Sequence, residues 1–196
     1  ALSLVGSEMC IRDRSTAATY DVTYTPPAIL QLGTDIDGVT NGDYFGYAIS
    51  MSNDGNRMVV GAKHDDTPGS NAGSVDVYEY SSGSWTKMGS TINGEAYTDN
   101  FGRAVSINGA GTRIAVGAPN NDGNGPDAGQ VKVYEWSGSA WSQLGIDIDG
   151  EASNDHCGWS VDMNEAGDRV VIGEIENAAG GTRRGQVRVF DWDGSA

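Results

Sequence analysis

The sequence has little cysteine, little positive charge and no long hydrophobic run. Two cysteines, Cys10 and Cys157, are too few for a multi-disulfide framework, so a hydrophobic core has to stabilise the fold. Lysine and arginine number 12 against 27 aspartates and glutamates, and the net charge of -15 disfavours binding to a polyanion such as nucleic acid. No segment has the apolar length of a membrane-spanning helix. We therefore expect no nucleic-acid partner and no membrane span.

Glycine, by contrast, is abundant, with 29 residues, and much of it follows a fixed period. Framework glycines recur at intervals of 56 residues without a gap: Gly46, Gly102 and Gly158; Gly61, Gly117 and Gly173; Gly73, Gly129 and Gly185. Periods of roughly 20 to 50 residues are typical of solenoids, propellers and arrays. The sequence therefore predicts a repeat architecture.

Each repeat contains four strand-like runs, and helical periodicity is absent. In the second repeat these runs are 104–107, which alternates small and apolar residues, then the doubly apolar 113–118, then the aromatic-rich 130–136 and the run that carries Trp141. Turns rich in Asn and Gly join the first two runs. Four antiparallel strands per repeat predict a propeller blade. The predicted fold class is all-β: a β-propeller fragment of four-stranded antiparallel blades with a 56-residue repeat.

The composition changes along the chain at two places. Residues 1–14 resemble the translation of a transposase adapter from a sequencing library, so we interpret them as an artefact. Residues 15–27 alternate at Tyr20–Tyr24 and end in Pro26-Pro27, which predicts a linker or the tail of a preceding β module. Residues 28–196 hold the incomplete set of blades. They begin on the last strand of a repeat, because Ile29–Gly33 corresponds to the segments at Trp85 and Trp141.

The repeats resemble the FG-GAP repeats of integrin α-like β-propellers. Phe101-Gly102 and Gly117-Ala118-Pro119 match the motif that gives the family its name, and the resemblance covers about three blades. It implies a non-catalytic binding or adhesion module of a secreted or cell-surface protein, with a protein or glycan ligand bound by the loops between strands. Two alternatives stay open: a fragment of a propeller enzyme acting on glycans, and a structural repeat array without a specific ligand.

Members of this family bind calcium in a loop of the DxDxDGxxD type between the first two strands. The corresponding turn at 108–112 has no carboxylate, so that site is not expected here. A different acidic cluster recurs after the fourth strand and supplies the only metal candidates: Asp35, Asp37, Asp43, Asp147, Asp149 and Asp155. We predict no catalytic residue and no cofactor, with calcium at this cluster as the alternative to turn capping by the same side chains.

Other reactive residue types have simpler explanations. Cys157 stands in the register of Phe45 and Phe101, which favours a small buried residue over a reactive thiol. His64, beside Asp65 and Asp66, and His156, beside Cys157, do not recur, and we interpret His64 as a solvated loop residue.

The tryptophans and the loops complete the prediction. Trp85 and Trp141 share a register, which favours blade packing over sugar stacking. Specificity is expected in the loops at 63–72, 119–128 and 175–184, because these vary between copies. An incomplete set of blades also predicts an exposed apolar face and an unpaired edge at 186–192.

Overall fold

The computed structural model describes residues 4–5, 8–12, 19–23, 28–67, 69–178 and 181–194. The chain divides into two compact units, residues 1–32 and residues 33–196. Regular structure in the described residues is β-strand, which confirms the predicted fold class. Within the same residues no helix is present that is long and apolar enough to cross a bilayer.

The first unit contains a three-stranded antiparallel sheet of β1 (Leu4–Val5), β2 (Glu8–Arg12) and β3 (Thr19–Thr23), in the order β1-β2-β3. Strand β3 contains most of the alternating segment predicted at Tyr20–Tyr24. The predicted boundary at Pro26-Pro27 lies outside the described residues.

The second unit consists of three antiparallel sheets, which are the predicted blades. Blade 1 has the strand order β4-β5-β6-β7, with β4 at Phe45–Met51, β5 at Arg57–Ala62, β6 at Ser74–Ser81 and β7 at Ser84–Lys87. A short strand β8 (Ile92–Asn93) pairs with the beginning of β6.

Blade 2 repeats this order one period later. Its strands are β9 (Ala104–Ile107), β10 (Arg113–Ala118), β11 (Gln130–Trp136) and β12 (Trp141–Gln143), with β13 (Ile148–Asp149) paired to the beginning of β11. Blade 3 contains β14 (Cys157–Met163), β15 (Arg169–Glu174) and β16 (Gln186–Asp191) within the described residues.

The fourth strand of a blade is broken into two pieces, which the sequence did not predict. Strand β7 pairs with the second half of β6 and β8 pairs with its first half; β12 and β13 do the same on β11. Gly89 and Gly145 lie between the pieces with φ of 74° and 75°. Since a left-handed residue interrupts a strand, the chain bends there towards the next blade.

The framework glycines are explained by contacts between blades. Gly61 of blade 1 faces the backbone of Gly102, and Gly117 of blade 2 faces the backbone of Gly158. A Cβ at Gly61 or Gly117 would collide with the carbonyl oxygen opposite. The 56-residue period therefore records a backbone-to-backbone approach that only glycine allows.

Apolar side chains fill the space between the blades. The first interface contains Val59, Val75 and Val77 from blade 1 against Phe101, Val105, Ile107, Ile114 and Val116 from blade 2. The second interface contains Ala115 and Val131 from blade 2 against Cys157, Met163, Val170 and Ile172 from blade 3. Trp141 seals the first interface, because its Nε1 donates a hydrogen bond to the carbonyl of Met88 at 3.1 Å. This packing role is the one predicted for the tryptophan.

Gly117→Ala should therefore separate blades 2 and 3. We expect it to lower the free energy of unfolding by about 3 kcal/mol, because neither backbone can move aside. The matched control is Gly173→Ala, at the same register of blade 3, where the closest group to the added methyl is the rotatable hydroxyl of Ser160. Urea unfolding of both variants checks the prediction, and equal losses would contradict it.

Candidate functional site

Two sets of loops meet at one end of the blades, which we call the loop end. The loop after the second strand of one blade contacts the loop that enters the next blade. Asn100 N donates to the carbonyl of Asn71, and His156 N donates to the carbonyl of Asp127. The predicted specificity loops at 63–72 and 119–128 therefore lie beside residues 94–101 and 150–157.

Three side chains at one register of the first strand form a continuous stack at this end. Tyr47, Arg103 and Trp159 each follow a framework glycine and are separated by one period. The Arg103 guanidinium carbon lies 3.6 Å from the centroid of the Trp159 ring and 5.8 Å from that of Tyr47. Arg103 also donates a hydrogen bond from Nη1 to the carbonyl of Trp159 at 2.9 Å. The guanidinium is thereby held in a fixed orientation across two blades.

Loop residues extend this stack at both sides. Lys63 Nζ lies 4.3 Å from the Tyr47 ring centroid and 5.7 Å from that of Tyr44. The His64 ring packs edge-on against Tyr44, with 4.9 Å between centroids. At the other side His156 packs edge-on against Trp159 at 5.9 Å. We call the whole set the aromatic–cationic row: Tyr44, Tyr47, Lys63, His64, Arg103, His156 and Trp159.

The two cations of the row differ from most of the other basic residues of the blades. Arg57, Arg113, Arg169 and Arg188 each form an ion pair with a carboxylate of their own blade. Within the described residues no ion pair includes Lys63 or Arg103. Their charges are balanced only by aromatic faces, which attract a cation weakly. The row therefore presents net positive charge on a chain that is strongly acidic.

His64 is part of this row and is not the solvated loop residue that the sequence predicts. It is half-buried against Tyr44. Partial burial lowers its pKa, and the neighbouring Lys63 charge lowers it further. The imidazole is therefore neutral at pH 7 and adds aromatic surface rather than charge.

The acidic candidates meet at most in pairs: Asp37 and Asp43 line one cavity, and Asp147 and Asp149 share one partner. In the described part of the chain, no group of three His, Cys, Asp or Glu side chains is placed to hold a metal ion. Asp147 and Asp149 accept hydrogen bonds from the side-chain amide of Gln130, at 3.1 and 3.0 Å. Asp35 is exposed, and Asp37 lines a cavity in blade 1. Calcium binding at these positions stays a prediction.

A buried carboxylate recurs at the entrance to each blade. Asp99 accepts hydrogen bonds from Ala96 N and from the side-chain amide of Asn121, at 3.1 and 2.9 Å. Asp155 accepts the equivalent bonds from Ala152 N and the Asn177 amide, at 2.8 and 3.0 Å. These pairs fasten the loop after a blade's second strand to the segment that enters the first strand of the same blade. Asp155 thus has the capping role that was the alternative to calcium.

Blade 1 departs from this pattern, because Asp65 replaces the asparagine. Its buried partner Asp43 has a pKa raised by burial and by the Asp65 charge, although Thr40 donates a hydrogen bond to it. Asp65 itself accepts a hydrogen bond from the Ser74 hydroxyl at 2.6 Å. Both carboxylates line a cavity of about 240 Å³ together with Asp37 and Asp76. Lys87 pairs with Asp76 at 2.7 Å, which leaves the cavity with an excess of negative charge.

Cys157 is fully buried, in agreement with its register. Burial raises the pKa of its thiol to about 12, so it is a neutral, inert group at neutral pH. The space gained by a small residue here is used by the buried Glu174, whose carboxylate pairs with Arg188. Arg188 also donates to the Cys157 sulfur at 3.2 Å.

Sequence reasoning missed Tyr44, Tyr47, Arg103 and Trp159. The sequence does carry a signal at three of these positions. The framework glycine is the same in all three copies, whereas the residue after it is a different large side chain in each: Tyr47, Arg103 and Trp159. Variation beside a constant framework residue marks a position that is not needed for the blade. The three side chains contact one another only because the blades are stacked, and the sequence of a single blade does not record this contact.

The geometry defines the class of protein: an all-β chain built of four-stranded blades of the β-propeller type. Residues 34–78 and 91–134 match the FG-GAP repeat family. The chain therefore carries FG-GAP repeats, which confirms the predicted family. Each matched segment runs from the end of one fourth strand to the third strand of the next blade. Blade 3, whose motif is reduced to Cys157-Gly158 and Gly173-Glu174, lies outside the matched residues.

No match was found among curated proteins. Among solved structures, a hydrazine synthase chain from Kuenenia stuttgartiensis is similar in fold, with 14% sequence identity and a TM-score of 0.46. The similarity covers 79% of this chain and 36% of that one. This chain thus spans little more than a third of its length.

The pair of carboxylates in blade 1 gives a stability prediction. Asp65→Asn should raise the free energy of unfolding by about 1 kcal/mol at pH 7, because the amide can donate to Asp43 as Asn121 does to Asp99. Against the effect of burial, hydrogen bonds from Ser74 and Thr67 lower the pKa of Asp65, and the amide oxygen keeps one of these two bonds. A raised pKa means that the folded wild type loses stability as pH rises from 3.8 through the Asp43 pKa. The gain should therefore disappear below about pH 4, where Asp43 is protonated.

The reciprocal variant Asn121→Asp is the matched control. It should destabilise blade 2 at pH 7 by placing a second carboxylate beside Asp99, which is already buried. Thermal unfolding of both variants at pH 7 and pH 3.5 measures the effects. Changes in stability of the same sign in the two variants would contradict the interpretation that Asp65 destabilises the neighbouring Asp43.

Proposed function

We propose that this chain is a non-catalytic binding module of a secreted or cell-surface protein, and that it binds a protein or glycan ligand at the loop end. The observation that carries the proposal is the aromatic–cationic row. It crosses all three blades, it contains the half-exposed Tyr47 and the exposed Tyr44, and its two cations have no carboxylate partner in the described structure. FG-GAP repeats are typical of extracellular proteins, which supports the proposed location.

The chemistry of the row favours an acidic glycan among these ligands. A sugar ring offers an apolar face that packs on tyrosine, and a carboxylate or sulfate group pairs with Lys63 and Arg103. The remaining surface is acidic and would repel a ligand with dispersed negative charge, so the acidic group has to be localised. A protein ligand would need an acidic side chain beside an apolar one to use the same contacts.

The enzyme alternative has less support. Glycan hydrolysis generally needs two carboxyl groups that face the substrate from opposite sides. In the described residues, the row itself contains no carboxylate, and the buried Asp99 and Asp155 beside it are engaged in capping. We accordingly assign binding without turnover to the loop end.

A glycan array that includes neutral, uronic-acid and sulfated glycans tests the proposal. We expect retention of acidic glycans, with an affinity that falls as salt is added. Arg103→Gln should weaken this binding by about tenfold or more, because it removes the charge and the charge-assisted hydrogen bond while keeping a polar side chain with part of the aliphatic stem.

Arg169→Gln is the control. Arg169 lies in β15, forms an ion pair with Asp191 of β16 and is not part of the row. The variant should leave glycan binding unchanged. Equal losses in the two variants, or release of reducing ends from a bound glycan, would overturn the proposal. Silence of the wild type across glycans and extracellular proteins would favour the structural array.

A further inference from the structure

Arg103 is the central residue of the aromatic–cationic row and is flanked by described blades on both sides. Tyr47 of blade 1 lies on one side of it and Trp159 of blade 3 on the other. Its guanidinium carbon is 3.6 Å from the centroid of the Trp159 ring, a distance at which an edge-on approach would drive a nitrogen into the indole. The guanidinium is therefore stacked on the ring, and its plane is fixed.

Two other arginines also bridge neighbouring blades, and a carboxylate completes both of them. In Arg57 and Arg113, Nη1 donates to a backbone carbonyl of the next blade, at 3.3 and 3.1 Å. Nε and Nη2 form the side edge of each guanidinium. Both nitrogens contact one glutamate of the same blade, Glu79 or Glu135, at 2.7–2.9 Å.

Arg103 has the first of these interactions and lacks the second. Its Nη1 donates to the carbonyl of Trp159 at 2.9 Å, which is again a carbonyl of the next blade. Within the described ranges, its Nε and Nη2 donate to no group and no carboxylate pairs with it. A guanidinium with a fixed plane and an empty side edge is preorganised for a two-point contact with a carboxylate.

The stacking on Trp159 favours a carboxylate over a sulfate at this edge. A carboxylate is planar, and when its two oxygens accept from Nε and Nη2 it lies in the plane of the guanidinium. A sulfate group is tetrahedral, so the same two-point contact directs one of its other oxygens towards the Trp159 side of this plane. The face of an aromatic ring is negative and repels an oxygen there.

Lys63 supplies a second positive charge close to Arg103. Its Nζ lies 4.3 Å from the centroid of the Tyr47 ring, and the Arg103 guanidinium carbon lies 5.8 Å from the same centroid. Two like charges beside one ring repel each other, and neither is neutralised by an ion pair in the described blades. A ligand that brings one carboxylate to each cation removes this repulsion.

We propose that the ligand of the loop end is an oligosaccharide of uronic acids. The carboxylate of one sugar accepts hydrogen bonds from Nε and Nη2 of Arg103, in the position that Glu79 has on Arg57. The carboxylate of a neighbouring sugar pairs with Lys63. This inference rests on the glycan binding proposed above and specifies the acidic group that Arg103 selects.

Calorimetric titration of the 196-residue chain with defined sugars tests the acidic group. The probes are monomers and trimers of galacturonic, mannuronic and glucuronic acid, the same sugars with the carboxyl group reduced to an alcohol, and sulfated and sialylated trimers. We expect the trimer of at least one uronic acid to bind about tenfold more tightly than its monomer, because it engages two cations. Its reduced form and the sulfated and sialylated trimers should bind about tenfold more weakly than this trimer.

Arg103→Lys distinguishes a two-point contact from a point charge. The variant keeps the positive charge but cannot make the planar contact, so it should weaken binding of the uronic-acid trimer by about tenfold. Its affinity for the sulfated trimer should change by less than about threefold, since a point charge suffices there. Arg169→Lys, outside the row, is the matched control and should leave both affinities unchanged. Thermal unfolding measured alongside checks that each variant is folded.

The possible failures separate this inference from the proposed function. Sulfated or sialylated trimers that bind as tightly as the best uronic-acid trimer would overturn the inference and leave glycan binding in place. Wild-type affinity of folded Arg103→Lys for the uronic-acid trimer would do the same. A monomer that binds as tightly as its trimer would overturn the pairing with Lys63. Failure of every acidic glycan to bind would overturn this inference together with the acidic-glycan ligand.

Discussion

Close backbone contact between consecutive blades is the constraint on which the rest of this structure depends. Gly61 against Gly102 and Gly117 against Gly158 allow first strands to approach without intervening side chains. The bridges from Gly73 to Phe101 and from Gly129 to Cys157 continue this contact towards the loop end. Because every blade meets the next one in the same way, residues separated by 56 positions become neighbours in space.

The aromatic–cationic row follows from this constraint. Tyr47, Arg103 and Trp159 come directly after the glycines in contact, so their side chains are stacked by the blades that carry them. No blade alone builds the row, and residue types that differ between copies combine into one surface. The glycines hold the framework, and the positions beside them are available for recognition.

The strands and turns were predictable because each depends on local pattern. The runs at 57–62, 113–118 and 169–174 are strands with the predicted bounds. Strands β4 and β14 begin earlier than the pattern indicates, since a register shift next to Gly46 and Gly158 adds residues that do not alternate. The break between β7 and β8 was missed for a similar reason, because it depends on Trp136 and Trp141 of the next blade at Gly89.

The candidate site was much less predictable than the fold. The acidic residues were conspicuous in sequence, yet Asp99 and Asp155 serve to fasten loops. Of the row, only His64 and His156 are conspicuous in the sequence, and neither recurs in the other copies. Contacts such as that of Lys63 with Tyr47 join a loop to a strand, and that of Arg103 with Trp159 joins two blades. No local periodicity records such contacts.

The central claim is that blade stacking holds Arg103 against Trp159 in one rigid row. The most direct measurement is the proton NMR spectrum of the Arg103 side chain, since a group 3.6 Å above an indole face experiences a strong ring current. The account predicts upfield-shifted Arg103 resonances that return to ordinary values in Trp159→Leu. Ordinary shifts in the wild type, unchanged by that substitution, would contradict it.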